Sequence, residues 1–516
     1  MNRWMTAVIA LGATTLLQAS GRAEDGGLGR RTAALDALFK AAQLDLRAPG
    51  LVYGVVTNGE LAHIRSFGVR DREAGTPVTP RTAFRIASMT KMMTALLILD
   101  LQDQGRLLLD QPAEKYVPPM AAWTYPTADS RKVTIRDLLN HTAGFTTDNP
   151  WADRQMARTR EEFDAFLERA EPFSHAPGTT YEYSNFGYAL LGLIIERITG
   201  QTYGARLQER ILEPLGMTGS GVDPAKIAER DRAKPYHYLD NRFVSEPPLG
   251  TGAFDAIGGL WTTAQDYARF MAWFLSAWPA RDEPDPGPIP RRVIRSVTDG
   301  VVMTGTTRRP GLSGGDDCVM ASGYGMGLGH SHHCDAGLIL GHGGGFPGYG
   351  SYILFLPEKG MGVFAFSNKT YGRMYGPVWD AAIRLAKADI GKPRVPLPAD
   401  RRLLAAYDGV VRAYKVGSLT AAGLSFADNF FMDRSEERWA TQFTALREAA
   451  GTCRAAGPIR ADGRFSGQFT WTCDKARVTG SLTMAPVDPS QIQALHLRVI
   501  QRGSRGRTLN TDFDFH

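Results

Sequence analysis

Apolar residues follow one another almost without a break at Met92, Met93, Ala95, Leu96, Leu97, Ile98 and Leu99, which predicts a helix buried nearly all round, with Gly105 as its stop. Elsewhere the pattern is that of strands. Segments 51–57 and 61–67 flank Asn58-Gly59, a strong signal for a hairpin with a type I′ turn. Segments 352–356 and 361–366 flank Pro357-Glu358-Lys359-Gly360 and predict a second hairpin. The two hairpins are expected to join in one antiparallel sheet, with the intervening helices as a second layer. Tyr324-Gly325-Met326-Gly327-Leu328 reads as a further strand, and an apolar helix is expected from near Ala189.

The chain also reads as two domains. Three prolines mark a linker at 392–399, and 279–290 is proline-rich in the manner of a surface insertion. Beyond the linker, Trp439, Phe443 and Leu446 keep helical spacing, and alternation then recurs at Phe465–Cys473, Val478–Met484 and Leu495–Val499. One helix on an antiparallel meander, a small α+β domain at 400–516 with its aromatics in the core, fits this pattern.

Composition adds context. Residues 1–23 hold Arg3, an apolar run over 7–17 and a small-residue exit at Gly21-Arg22-Ala23, the features of a cleavable signal peptide too short to span a bilayer. A periplasmic or secreted location is expected, with no membrane span after cleavage. The formal charge of +6 has no dense basic block, which argues against nucleic acid as a partner. In an exported chain, the positions of four cysteines predict two local disulfides, Cys318 with Cys334 and Cys453 with Cys473, with free thiols as the alternative. The run His330-Ser331-His332-His333-Cys334 lacks the spacing of a tetrahedral ligand set, so neither metal nor other cofactor is expected.

Three short elements carry the candidate chemistry. In Ser88-Met89-Thr90-Lys91 the serine falls in the first turn of the predicted buried helix, where its backbone N–H and the helix dipole favour developing negative charge. Lys91, three residues on, shares a helix face with Ser88, and burial would lower its pKa toward the neutral form that a general base needs. A helix-capping serine beside a surface lysine is the plain alternative, since Ser-x-x-Lys turns up about once by chance in a chain this long. Tyr183-Ser184-Asn185 sits in a turn-rich stretch, where Tyr183 would carry protons if cationic neighbours lower its pKa and Asn185 would bond to substrate and to Lys91. His342-Gly343-Gly344 lies just before the second hairpin, and its glycines leave room for a substrate backbone against a strand edge.

Taken with Gly348-Tyr349-Gly350-Ser351-Tyr352 through Lys359 and Phe366-Ser367-Asn368-Lys369-Thr370-Tyr371, the three motifs resemble those of the serine hydrolases that include class C β-lactamases, low-molecular-weight penicillin-binding proteins and family VIII-type esterases. Thr134 to Phe145, Glu213-Pro214-Leu215-Gly216-Met217-Thr218 and Gly258 to Asp266 are similar to further family signatures, and the likeness spans roughly 35–390. The resemblance implies an α/β (α+β) β-lactamase/transpeptidase-like fold over 24–391. It implies Ser88 as acylated nucleophile, Lys91 as base, Tyr183 as proton carrier, Asn185 as acyl-side-chain ligand, and an oxyanion hole formed by the N–H groups of Ser88 and Gly345. The third motif departs from the family's Lys-Thr-Gly. Gly343 has no hydroxyl, and a histidine of ordinary pKa about 6.5 is mostly neutral at pH 7, so recognition of an anionic substrate group weakens unless Lys369 or Arg373 reaches in. An ester or a D-amino-acid peptide or amide is therefore favoured as substrate over a β-lactam, and the expected partner is a small molecule or peptide, with cell-wall fragments among the options. A class C β-lactamase, a D-alanyl-D-alanine carboxypeptidase and a non-catalytic penicillin-binding-like receptor remain the alternatives. The loops 146–153 and 279–320 are expected to shape the pocket.

Overall fold

The computed structural model describes residues 25–149, 151–309, 317–388 and 399–501. The signal segment 1–23 and residues 392–398 of the linker lie outside the described residues. The chain divides into two compact units, residues 1–394 and 395–516.

The first unit is built on a nine-stranded antiparallel sheet. Its strands are β1 (Gly50–Thr57), β2 (Glu60–Asp71), β3 (Thr76–Pro77), β4 (Val302–Arg309), β5 (Cys318–Tyr324), β6 (Gly329–His333), β7 (Gly337–Phe346), β8 (Tyr349–Leu356) and β9 (Met361–Ser367). In space they run β3-β2-β1-β9-β8-β7-β6-β5-β4. Both predicted hairpins form. Asn58 and Gly59 carry φ of 54° and 80°, as a primed turn demands, and β1 pairs with β9 to join the hairpins.

Strand β1 is buried along its whole length because it serves two cores. Val52 and Val56 face the larger one, while Leu51, Tyr53 and Val55 face the smaller, the period-two division expected of a central strand. The smaller core is closed by helices α1 (Asp25–Asp45) and α5 (Tyr375–Lys387). The larger is filled from α2 (Thr90–Asp103), α3 (Asn185–Thr199) and α4 (Ala264–Leu275).

Several expectations need correction. Ser88 lies in a 3-10 turn, Ala87–Met89, two residues ahead of the start of α2 rather than inside its first turn. Helix α3 begins at Asn185, not near Ala189, because Ser184 caps it by accepting from the Gly187 N–H and Asp148 accepts from the N–H groups of Asn185 and Phe186. The strand expected at 324–328 ends at Tyr324, and residues 325–328 form the turn into β6, where Gly327 takes φ of 83°. The 279–320 segment is not all loop: it contains a helical turn, Arg291–Arg295, and the edge strand β4.

In the second unit, α6 (Arg401–Val416) and α7 (Glu436–Ala450) accompany a five-stranded antiparallel sheet of β10 (Cys453–Ala456), β11 (Arg460–Gly463), β12 (Ser466–Cys473), β13 (Ala476–Met484) and β14 (Ile492–Gln501). Two long helices thus replace the single one expected. The aromatic residues Phe443, Phe469 and Trp471 lie in its core.

Candidate active site

A short strand, Ala83–Arg85, leads into the turn that carries Ser88. Ala87 takes φ of 50° to make that turn, a conformation costly for a residue with a side chain and common where geometry matters more than ease. Neighbours hold it from several sides. Thr90 Oγ1 donates to the Ala87 carbonyl at 2.7 Å and accepts from the Leu260 N–H at 3.2 Å. Ser351 Oγ, from β8, donates to the Ile86 carbonyl at 2.7 Å. The turn therefore sits tightly against the sheet.

Lys91 is wholly buried. Its Nζ lies 2.6 Å from Asn185 Oδ1, 2.9 Å from the Ile257 carbonyl and 3.3 Å from Ser88 Oγ. Burial lowers its pKa to about 7, against the charges of Asp153 and Asp148, which raise it. The two oxygens of Asn185 and Ile257 accept the two N–H bonds of the neutral amine. Its lone pair is left for the hydroxyl proton of Ser88, which is the geometry of a base. Asn185 is held in turn by Asp148, which accepts from its Nδ2 at 3.1 Å.

Tyr183 lies close enough to Ser88 for the serine hydroxyl to lower its pKa, and its ring lies 5.1 Å from Lys91 Nζ. Its electrostatics run opposite to the expectation of a lowered pKa. Burial drives it well above the ordinary tyrosine value, more than the nearby Ser88 hydroxyl lowers it. Tyr183 is therefore a neutral phenol, able to give a proton and take one back.

The third motif lies within a strand, β7, rather than ahead of the sheet. Strand β6 pairs only with residues 337–341 of β7, so 342–346 are open on that side. On the other side, Gly343, Gly344 and Gly345 pair with Tyr352, Ser351 and Gly350 of β8. An unpaired strand edge of this kind can accept an extended chain by backbone hydrogen bonding. His342 Nδ1 donates to the Gly343 carbonyl at 2.6 Å, which leaves Nε2 to accept from the Tyr324 hydroxyl at 2.9 Å. Burial, then the charge of Lys91, lowers its pKa to about 4, so the imidazole is neutral across the physiological range.

Three site residues escaped the sequence reading. Asp148 and Asp153 sit in the loop expected to shape the pocket, but nothing in the sequence singles them out from other aspartates. Asp153 is buried, which raises its pKa, and it accepts a 3.0 Å hydrogen bond from the Tyr371 hydroxyl. Tyr371 has φ of 49° and its ring packs beside Gly345. Of the two cations expected to compensate for the missing motif lysine, Arg373 is exposed and Lys369 is partly buried, its pKa lowered by burial and then by Arg373.

Cys318 is bonded to Cys334, and Cys453 to Cys473. His333 lies close to the first pair, but both sulfurs there are engaged with each other and offer no thiolate to a metal. Among the described residues no helix is long and apolar enough to cross a membrane.

A buried lysine beside a half-buried serine, facing an open strand edge on a sheet covered by helices, defines the β-lactamase-fold serine hydrolases. The chain belongs to the beta-lactamase family, whose model matches residues 35–388. It is 36% identical over 220 residues to Esterase EstB of Burkholderia gladioli, covering 40% of this chain and 54% of that one. It is 30% identical over 343 residues to Penicillin-binding protein 4 of Amycolatopsis lactamdurans, covering 64% of this chain and 83% of that one. The octameric penicillin-binding protein homologue from Pyrococcus abyssi shares the fold with a TM-score of 0.58 at 24% identity, over 92% of this chain and 94% of that one. The chain spans 63% and 54% of the length of two of the curated relatives it matches.

Proposed function

We propose that this chain is an exported hydrolase that cleaves esters or D-amino-acid amides through an acyl-enzyme on Ser88. The Lys91 amine, buried, brought by that burial to a pKa of about 7 and set 3.3 Å from the Ser88 hydroxyl, carries the reading. Lys91 takes the proton as Ser88 Oγ bonds to the acyl carbon. Tyr183 gives its proton to the departing alkoxide or amine and is reprotonated from Lys91. Water then attacks the acyl carbon, its proton returning through the same pair to Ser88 Oγ as the ester bond breaks. The N–H groups of Ser88 and Gly345 would hold the oxyanion, a contribution of about 2–4 kcal/mol per donor.

The substrate preference rests on His342. A neutral imidazole tied to Tyr324 and to its neighbouring carbonyl offers no cation to a β-lactam or peptide carboxylate. The relation to Esterase EstB supports the same choice. The two disulfides, and the lack of a spanning helix among the described residues, fit an exported protein. A pure receptor would have no use for a lysine with lowered pKa.

The test is a panel. Turnover of p-nitrophenyl acetate or butyrate, or of D-alanine p-nitroanilide, is expected to exceed that of nitrocefin by at least about tenfold in kcat/KM. Fluorophosphonate is expected to label Ser88. Labelling with no turnover of any ester, amide or lactam would favour the receptor, and efficient nitrocefin hydrolysis would overturn the substrate preference.

Asp153 provides a finer check. Its charge is the largest one raising the Lys91 pKa. Replacing it in Asp153→Asn removes that stabilisation of the ammonium, so the acid limb of the pH–rate profile is expected to move to lower pH. An unmoved limb would mean that Lys91 is not the group being titrated.

A further inference from the structure

His141 is 3% exposed and carries φ of 60°, a strained conformation for histidine. Its backbone carbonyl accepts from the Glu182 N–H at 2.9 Å. Its Nδ1 accepts from the Ser184 N–H at 3.2 Å. Between those two anchor points, its ring packs on Tyr183 with centroids 4.3 Å apart. One residue thus grips the chain on both sides of Tyr183 and packs at a tilt against the phenol itself. Tyr324 and Tyr188 pack on the same imidazole, at 4.7 and 5.1 Å.

Packing alone does not explain a histidine here. Because Nδ1 accepts, the proton of the neutral ring sits on Nε2, and that atom is buried without a hydrogen-bond partner, a burial that carries a cost. Burial, then the charge of Lys91, keeps the imidazole pKa well below its ordinary value, so Nδ1 stays available as an acceptor. A phenylalanine would fill the space without the orphaned donor but could not hold the Ser184 amide.

We propose that His141 is a positioning residue for Tyr183: by binding the flanking Glu182 and Ser184 amides and packing against the ring, it fixes the phenol beside Ser88 and Lys91. The proposal rests on the reading of Tyr183 as the proton carrier. The chemistry of the two substitutions separates the acceptor from the packing. Asparagine places Oδ1 near the position of Nδ1 and tolerates the left-handed backbone, whereas phenylalanine keeps an aromatic ring and loses the acceptor.

With a p-nitrophenyl ester, His141→Phe is expected to lower kcat by roughly 10- to 30-fold, with KM changed less than about threefold, because the loss falls on proton transfer rather than binding. His141→Asn is expected to recover kcat to within about threefold of the parent. In amide hydrogen exchange, the Ser184 N–H is expected to exchange faster in His141→Phe and at the parent rate in His141→Asn. Parent-like kcat and exchange in His141→Phe, or no recovery of either in His141→Asn, would overturn the proposal. If the parent protein hydrolyses nothing, the functional reading fails, and the exchange measurement still decides whether His141 fixes the 182–184 segment.

Discussion

Lys91→Met is expected to reduce kcat/KM for a p-nitrophenyl ester by on the order of 10³ to 10⁴, at the upper end of what a general base supplies, because no other group is placed to take the Ser88 proton. Methionine fits the space of the lysine stem. The variant gives up hydrogen bonds to Asn185 Oδ1 and the Ile257 carbonyl, but it also removes an amine whose charged form burial penalises, so a folded protein with a normal circular-dichroism spectrum is expected. The parent enzyme should show a matching pH dependence. The base must be neutral to act, so the rate rises with pH through about 7, the value set by burial of Lys91, and then levels. His342, at about 4, adds no limb in the physiological range. Tyr183, held far above its ordinary value by burial, adds no alkaline limb where the assay is run. A bell-shaped profile between pH 5 and 9, or more than a tenth of parent activity in Lys91→Met, would sink the assignment of the base.

The serine–lysine pair could be read in the sequence because its geometry is local. Three residues along a helical turn bring Lys91 back to Ser88, and the apolar run from Met92 to Leu99 announces the burial that lowers the amine. Both hairpins were legible for the same reason: their turns are written in adjacent residues. The misses arise where a remote segment decides the outcome. Helix α3 starts early because Asp148, nearly forty residues upstream, satisfies its first amides. The direction of the Tyr183 shift depends on how completely neighbours bury it, which no local motif states. The open edge of β7 exists because its partner β6 stops at Gly329, a property of pairing and not of the His342-Gly343-Gly344 run itself.

The open edge also shows why the glycines of the third motif are not equivalent. A Cβ built on Gly343 would lie 3.3 Å from the Tyr352 ring, a tight contact that a side chain can relieve by turning. A Cβ on Gly344 would lie 2.2 Å from the Ile86 carbonyl oxygen and 2.2 Å from Ser351 Oγ. Ser351 can rotate, at the loss of its bond to Ile86, but the carbonyl belongs to the turn that carries Ser88. Restoring ordinary van der Waals distance requires the turn and β7 to part by about 1 Å. Gly345, whose N–H is proposed to face the oxyanion together with that of Ser88, is the next residue on the strand. Gly344→Ala should therefore widen the gap between the two donors. It is expected to lower kcat by about 100-fold, the scale of a 1 Å misplacement of reacting groups, with a stability loss of about 1–3 kcal/mol from overpacking. Steady-state kinetics alongside a thermal melt would separate the two effects. A folded Gly344→Ala protein with kcat within threefold of the parent would mean that the Ser88 turn does not depend on close approach to β7.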